Sequence, residues 1–175
     1  RNKVDQISTI NLQIEDTQNK LNGSVTFPDV SGEMYRMQFE TRKLSSGYYQ
    51  LLKRSNGILL FINPNDVKKP ILISEWNSVI PAGEENMEQR YKPWEFSDVP
   101  TQVMLVDLLQ IAAAVIDIPC KIGIVISAWD VIISDPIVNQ EIKTPEDWLK
   151  QNLPLLYQYI KSNFRNLKTE VFGIS

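Results

Sequence analysis

Apolar and polar positions alternate along "INLQI", residues 10–14, and again along "SVTF", residues 24–27. A period of two marks a half-buried strand, and Asn22-Gly23 between the runs is a strong turn signal. Residues 8–30 therefore predict a β-hairpin turning at Asn22-Gly23. Over "ETRKLSSGYYQLLKRS", residues 40–55, the period changes. Leu44, Tyr48, Leu51 and Leu52 recur near one face of a short helix, whose first turn Gly47 weakens. "GILLFINP" (57–64) and "KIGIVISAWD" (121–130) are continuous apolar runs, the pattern of strands covered on both faces. Between the runs, "PTQVMLVDLLQIAAAVI" (100–116) predicts a largely buried helix with Pro100 at an early position. Its narrow less-apolar stripe is Asp107, Gln110 and Ala114. In "TPEDWLKQNLPLLYQYIKSNF" (144–164) Thr144 caps, Pro145 opens the helix and Asp147 answers the cap. Pro154 breaks or kinks it. "TEVFGIS" (169–175) reads as a last strand. Residues 66–99 are an insertion or loop segment, with a short strand at "ILISEW" (71–76) and a polar stretch after it. Loops of that length are commonly functional.

Hairpin, helix, strand, helix, strand, helix, strand is the order of an α/β layered domain with a mostly parallel sheet. In such sheets ligands bind beyond the carboxyl ends of the strands. That rule picks out Asp29–Gly32, Asn63, Ser127–Asp130 and Gly173–Ser175.

Composition narrows the chemistry. The 175 residues are 43% hydrophobic and 22% charged, which is enough for one globular domain across residues 1–175. A net charge of −3 leaves no basic excess to neutralise phosphates, so nucleic acid is not expected as a partner. Arg42-Lys43 and Lys68-Lys69 read as solvated surface, as do Glu84, Glu85 and Glu88. With no histidine in the sequence, a Ser-His-Asp triad, a Cys-His dyad and a His-ligated metal are all excluded within this chain. The lone cysteine, Cys120, reads as a small buried hydrophobe, compatible with a reducing, cytoplasmic setting. No apolar run is long enough for a membrane segment. Trp129 and Trp148 read as core aromatics. Trp94 and Phe96 of "PWEF" fit either an exposed patch or packing on the domain.

Taken together, the strand-end motifs resemble those of a Ras-like, TRAFAC-class GTPase. "DVSG" (29–32) matches the Asp-x-x-Gly motif, "SAWD" (127–130) stands where Asn-Lys-x-Asp belongs, and "FGIS" (172–175) looks like the start of the Ser-Ala-x motif. The framing by "PTQVMLVDLLQ" and "PEDWLKQNLPLL" further resembles the bacterial double-GTPases of conflict or antiphage gene neighbourhoods. The resemblance implies a three-layer fold: a mixed, mostly parallel sheet with one antiparallel hairpin strand and helices on both faces. It also implies guanine nucleotide (GTP or GDP) as ligand, Mg²⁺ as cofactor, and GTP hydrolysis read by a protein partner or further domains. By its motifs, Asp29 holds Mg²⁺ through water, Thr9 (or its neighbour Ser8) is the switch hydroxyl, and the Gly32 N–H meets the γ-phosphate. Glu33 follows where a water-orienting glutamine is usual. Asp130 reads the guanine edge, Ser127 replaces the usual Asn, Ala128 replaces the Lys whose stem covers the base, and Ser175 opens the last motif. G-x-x-x-x-G-K-[ST] occurs nowhere in the sequence, which begins at Arg1 and ends within a strand. The expectation is that a first strand and phosphate loop precede Arg1 in a longer protein.

Two alternatives stand beside this. Glu33, Ser127 and Ala128 also suit a catalytically degenerate pseudo-GTPase serving as an interaction module. "DVSGEM" also resembles the Asp-x-Ser-x-Ser start of von Willebrand A-like divalent-ion modules, with Glu33 where the second serine belongs.

Overall fold

The computed structural model describes residues 7–70, 95–116, 119–134, 142–163 and 165–175. They divide into two compact units, Arg1–Ser55 and Asn56–Ser175. "ILISEW", Glu84, Glu85, Glu88 and Trp94 lie outside the described residues.

In the first unit, strands β1 (Thr9–Asp16) and β2 (Leu21–Pro28) pair antiparallel. The hairpin is present, but its turn is not Asn22-Gly23. Those two residues pair with Glu15 and Ile14 inside the ladder. The chain instead reverses through 17–20. There the Asp16 carboxylate accepts from the amides of Gln18 and Asn19 and from Asn19 Nδ2, and Lys20 takes a left-handed φ of 53°. Register explains the shift: this pairing sets Ile10 against Phe27 and Leu12 against Val25, on one face of the ribbon. Ile10, Leu12 and Ile14 nevertheless remain more than half exposed, at 66%, 51% and 52%.

Helix α1 (Gly32–Thr41) follows directly and was not legible in the apolar pattern. Its start is a polar cap, the Ser31 hydroxyl accepting from the Met34 amide, and it stops where Arg42 turns left-handed. Helix α2 (Ser46–Arg54) is capped in the same way by Ser45 and buries Tyr48 and Leu52, as its periodicity predicts. Tyr35 of α1 meets Tyr48 of α2 edge to face, with ring centres 6.3 Å apart.

The second unit is built on β3 (Gly57–Ile62), β4 (Cys120–Ile126) and β5 (Leu167–Gly173), all parallel, in the order β3-β4-β5. The hairpin and this sheet are separate, rather than one mixed sheet, among the described residues. Its helices are α3 (Thr101–Val115), the short α4 (Trp129–Ser134), α5 (Pro145–Asn152) and α6 (Pro154–Ser162). Thr144 and Asp147 close a reciprocal capping box at the start of α5. Pro154 ends that helix and opens α6, where its missing N–H costs nothing. Pro100 is the N-cap of α3 rather than its first residue.

One face of the sheet is core: Ile122, Ile124, Ile126 and Leu167 are buried, as are Leu109 of α3 and Leu156 of α6. The other face carries Leu59, Phe61 and Phe172 at 48%, 52% and 45% exposure. Cover on both faces, expected from the apolar runs, therefore holds at the end of β4, where Val125 on this second face is buried, and not at Leu59, Phe61 and Phe172. Two polar side chains of α3 are also buried. Gln102 Oε1 accepts the Leu155 amide at 2.9 Å, serving the first turn of α6, which has no side-chain cap of its own. Asp107, expected on the less-apolar stripe with Gln110 and Ala114, is buried while those two are exposed. Cys120 is buried, as expected, and burial pushes its thiol pKa up.

Lys68 and Thr101, near the two ends of the 66–99 segment, are bonded to each other. Lys68 donates its amide to Thr101 Oγ1 (2.9 Å), Thr101 donates its own back to the Lys68 carbonyl (3.0 Å), and the Lys68 ammonium reaches the Ser97 carbonyl. Lys68 is thus tied into structure rather than being merely solvated.

Candidate functional site

The predicted residues gather in two clusters, one in each unit. In the first, the hairpin sets Thr9 opposite Pro28, and the Asp29 amide donates to the Ser8 carbonyl at 2.7 Å. Thr9, Ser8 and Asp29 are thereby held at the same open end of the ribbon. Asp29 is exposed at the end of the strand. Two residues later Ser31 caps α1, which makes Gly32 and Glu33 its first two residues. The earliest amides of a helix have no partner within it and favour negative charge nearby. Glu33 meets that preference from its own chain, a local reason for an acid at this position.

Gly32 has a different logic. A methyl group built on its Cα would meet no atom within 4 Å. Among the described residues no packing contact requires glycine there, and open space stands where a side chain would project. Among the described residues there is no cluster of three or more His, Cys, Asp or Glu side chains able to hold a metal. One carboxylate with one or two hydroxyls is the sparse oxygen set Mg²⁺ takes when phosphates and water supply its other ligands.

The second cluster lies beyond the carboxyl ends of the three parallel strands, where ligands of α/β sheets bind. Ser127 donates both its amide (3.0 Å) and its hydroxyl (3.3 Å) to the Ile62 carbonyl at the end of β3. Ile174 donates to Ile126 at 3.0 Å, and Trp129 donates to Ile174 at 2.9 Å. The Asp130 amide then donates to Ser175 Oγ at 3.2 Å. Backbone hydrogen bonds across the strand ends thus bring Asp130 to Ser175 and tie Ser127 to the end of β3. The Asp130 carboxylate is exposed, and no hydrogen bond engages it among the described residues. Asn63, the remaining strand-end candidate, is used locally: it starts the following turn by accepting from Asn65 and donating to Asp66.

Sequence reasoning missed one pair here. Trp129 is half-buried rather than a core residue, and its indole is seated on Gly173. A Cβ on Gly173 would come within 2.4 Å of Trp129 Cγ. The available signal was a glycine at a strand end, which marks close approach by another group. Ala128, just before Trp129, takes a left-handed φ of 51° that a non-glycine residue rarely adopts.

No helix of the described residues is long and apolar enough to cross a membrane. No curated protein and no solved structure matches the chain. The family model described as Double-GTPase 1 matches residues 1–175, the whole chain, and the protein therefore belongs to that family of GTPase-type nucleotide-binding domains.

Proposed function

We propose that this chain is a guanine-nucleotide-binding switch domain that hydrolyses GTP to GDP and phosphate with Mg²⁺. Asp29 and Thr9 serve the ion, Gly32 gives its N–H to the γ-phosphate, and Glu33 stands by the attacking water. Asp130 accepts from the guanine N1–H and N2–H groups, while Ser127 and Ser175 hold the loop around it. The switch is read by a protein partner or further domains.

The observation that carries this reading is the exposed Asp130 carboxylate, which no hydrogen bond engages among the described residues, fixed at its backbone by Ser175 beyond the strand ends of a Double-GTPase 1 chain. Open space at Gly32 supports the phosphate half. A second reading, a domain that binds nucleotide or a partner without turnover, draws on the Ser127 hydroxyl. It is turned to the Ile62 carbonyl, and no lysine stem is present at Ala128 to cover a base.

Titration of the full-length protein with GTP, ATP and XTP at millimolar Mg²⁺ tests both. Guanine should bind best. Asp130→Ala should weaken it, and Asp130→Asn should shift preference toward XTP, because the new amide donates where the carboxylate accepted. No GTP binding by the wild-type protein removes the proposal. Binding without phosphate release selects the second reading.

A further inference from the structure

We propose that Trp129 is a positioning residue for base recognition: seated on Gly173, it sets where the Asp130 carboxylate stands, and so sets the preference for guanine. The inference rests on the nucleotide reading above.

The geometry begins with the turn. Ala128 is left-handed, which swings the chain sharply out of the end of β4 and leaves Trp129 as the first residue of a short helix. A left-handed alanine is an unfavourable conformation and persists only where neighbouring contacts over-determine it. Two contacts do so on the Trp129 side. Its amide donates to the Ile174 carbonyl at 2.9 Å. Its ring covers the bare Cα of Gly173, with Cγ, Cδ2 and Cδ1 at 2.4, 2.7 and 2.9 Å from the place a Cβ would take. Only glycine admits an indole that close. The next residue is Asp130, and its amide is the one that reaches Ser175.

The ring thus clamps α4 to the end of β5 one residue before the carboxylate. The other backbone ties are single hydrogen bonds near solvent, each of modest net strength. In the related GTPase motif a lysine stem and an asparagine help define the base pocket. Here Ala128 and Ser127 occupy those positions, and Ser127 is engaged with Ile62. The large side chain in this loop is that of Trp129, so its seat carries the orientation of Asp130. A displacement of about 1 Å at a recognition group is enough to lower performance by one or two orders of magnitude.

The test compares Trp129→Ala, Trp129→Phe and Gly173→Ala in the full-length protein, measuring GTP and ATP affinity together with thermal melting. Trp129→Ala should lower the GTP-over-ATP preference about tenfold. Gly173→Ala should do the same with the tryptophan retained, because the new methyl group displaces the ring. Trp129→Phe, which still covers Gly173, should recover most of the preference. Folded Trp129→Ala or Gly173→Ala protein with unchanged preference overturns the proposal, whatever its melting temperature. So does a Phe variant as impaired as the Ala variant. The wild-type titration alone reads the guanine-nucleotide assignment, so the two ideas fail separately.

Discussion

Asp130 donates its backbone N–H to the hydroxyl of Ser175 across 3.2 Å, although 45 residues separate them in the chain. The bond joins the motif assigned to the guanine edge to the one assigned to the last strand. Ser175→Ala removes the acceptor while leaving the strand intact. One exposed hydrogen bond is worth about 0.5–1.5 kcal/mol, so guanine-nucleotide affinity should fall roughly two- to tenfold. Isothermal titration of the full-length protein checks this. An unchanged affinity would show that Ser175 does not support the base site.

Gly32 separates folding from function. Because no atom lies within 4 Å of its virtual Cβ, Gly32→Ala should fold normally and gain about 0.4–1 kcal/mol from a less flexible unfolded chain. In the proposed site the same methyl group would stand in the approach of the γ-phosphate. The expected result is an unchanged or raised denaturation midpoint together with loss of discrimination between GTP and GDP. A variant that keeps that discrimination would take Gly32 out of the site.

In the proposed switch, Glu33 is the residue that would govern whether it turns itself off. A carboxylate beside a triphosphate is repelled, whereas an amide can orient water without charge. Glu33→Gln should therefore raise phosphate release by about tenfold. Slower release in the variant would instead make the carboxylate a working part of the mechanism.

Gln102 ties α3 to the start of α6. Its Oε1 accepts the Leu155 amide while the side chain is buried. Gln102→Leu leaves that amide without its acceptor, at a cost of about 1–3 kcal/mol. Urea denaturation should show the loss, with nucleotide preference unaltered in the folded protein.

Two exposed carboxylates add a small acid sensitivity to their own elements. Hydrogen bonds from the Thr144 hydroxyl hold Asp147 below the ordinary 3.8, and the Asn19 side chain does the same for Asp16. A depressed folded pKa contributes stability that is complete above the unfolded value and is lost as pH falls through the folded one. Melting temperature should hold steady above about pH 5 and fall below about pH 4. Asp147→Asn should remove part of that slope.

Much of the second unit was legible in its residues. Thr144, Pro145 and Asp147 announce a helix start because the capping bonds close within three residues. Pro154 announces a break because it lacks an N–H. "GILLFI" and "CKIGIVI" announce strands because apolar β-branched runs that short suit little else. Ser127, Asp130 and Ser175 were legible for a related reason, since a parallel sheet sends its carboxyl ends to one side. The first unit was less so. Helix α1 depends on the Ser31 cap more than on any apolar face, and the hairpin turn went to Asp16, whose carboxylate satisfies three donors, over a better-looking Asn-Gly pair.

By itself, then, the sequence determined the elements of the parallel layer, the absence of histidine chemistry, and which carboxylates stand at strand ends. Those properties follow from side-chain periodicity and from hydrogen bonds between near neighbours. Only the tertiary structure decided the seat of Trp129 on Gly173, the Asp130–Ser175 bond, the exposure of Leu59, Phe61 and Phe172 and the burial of Gln102. Each depends on which strands and helices become neighbours, and spacing along the chain carries no record of contacts made across a sheet.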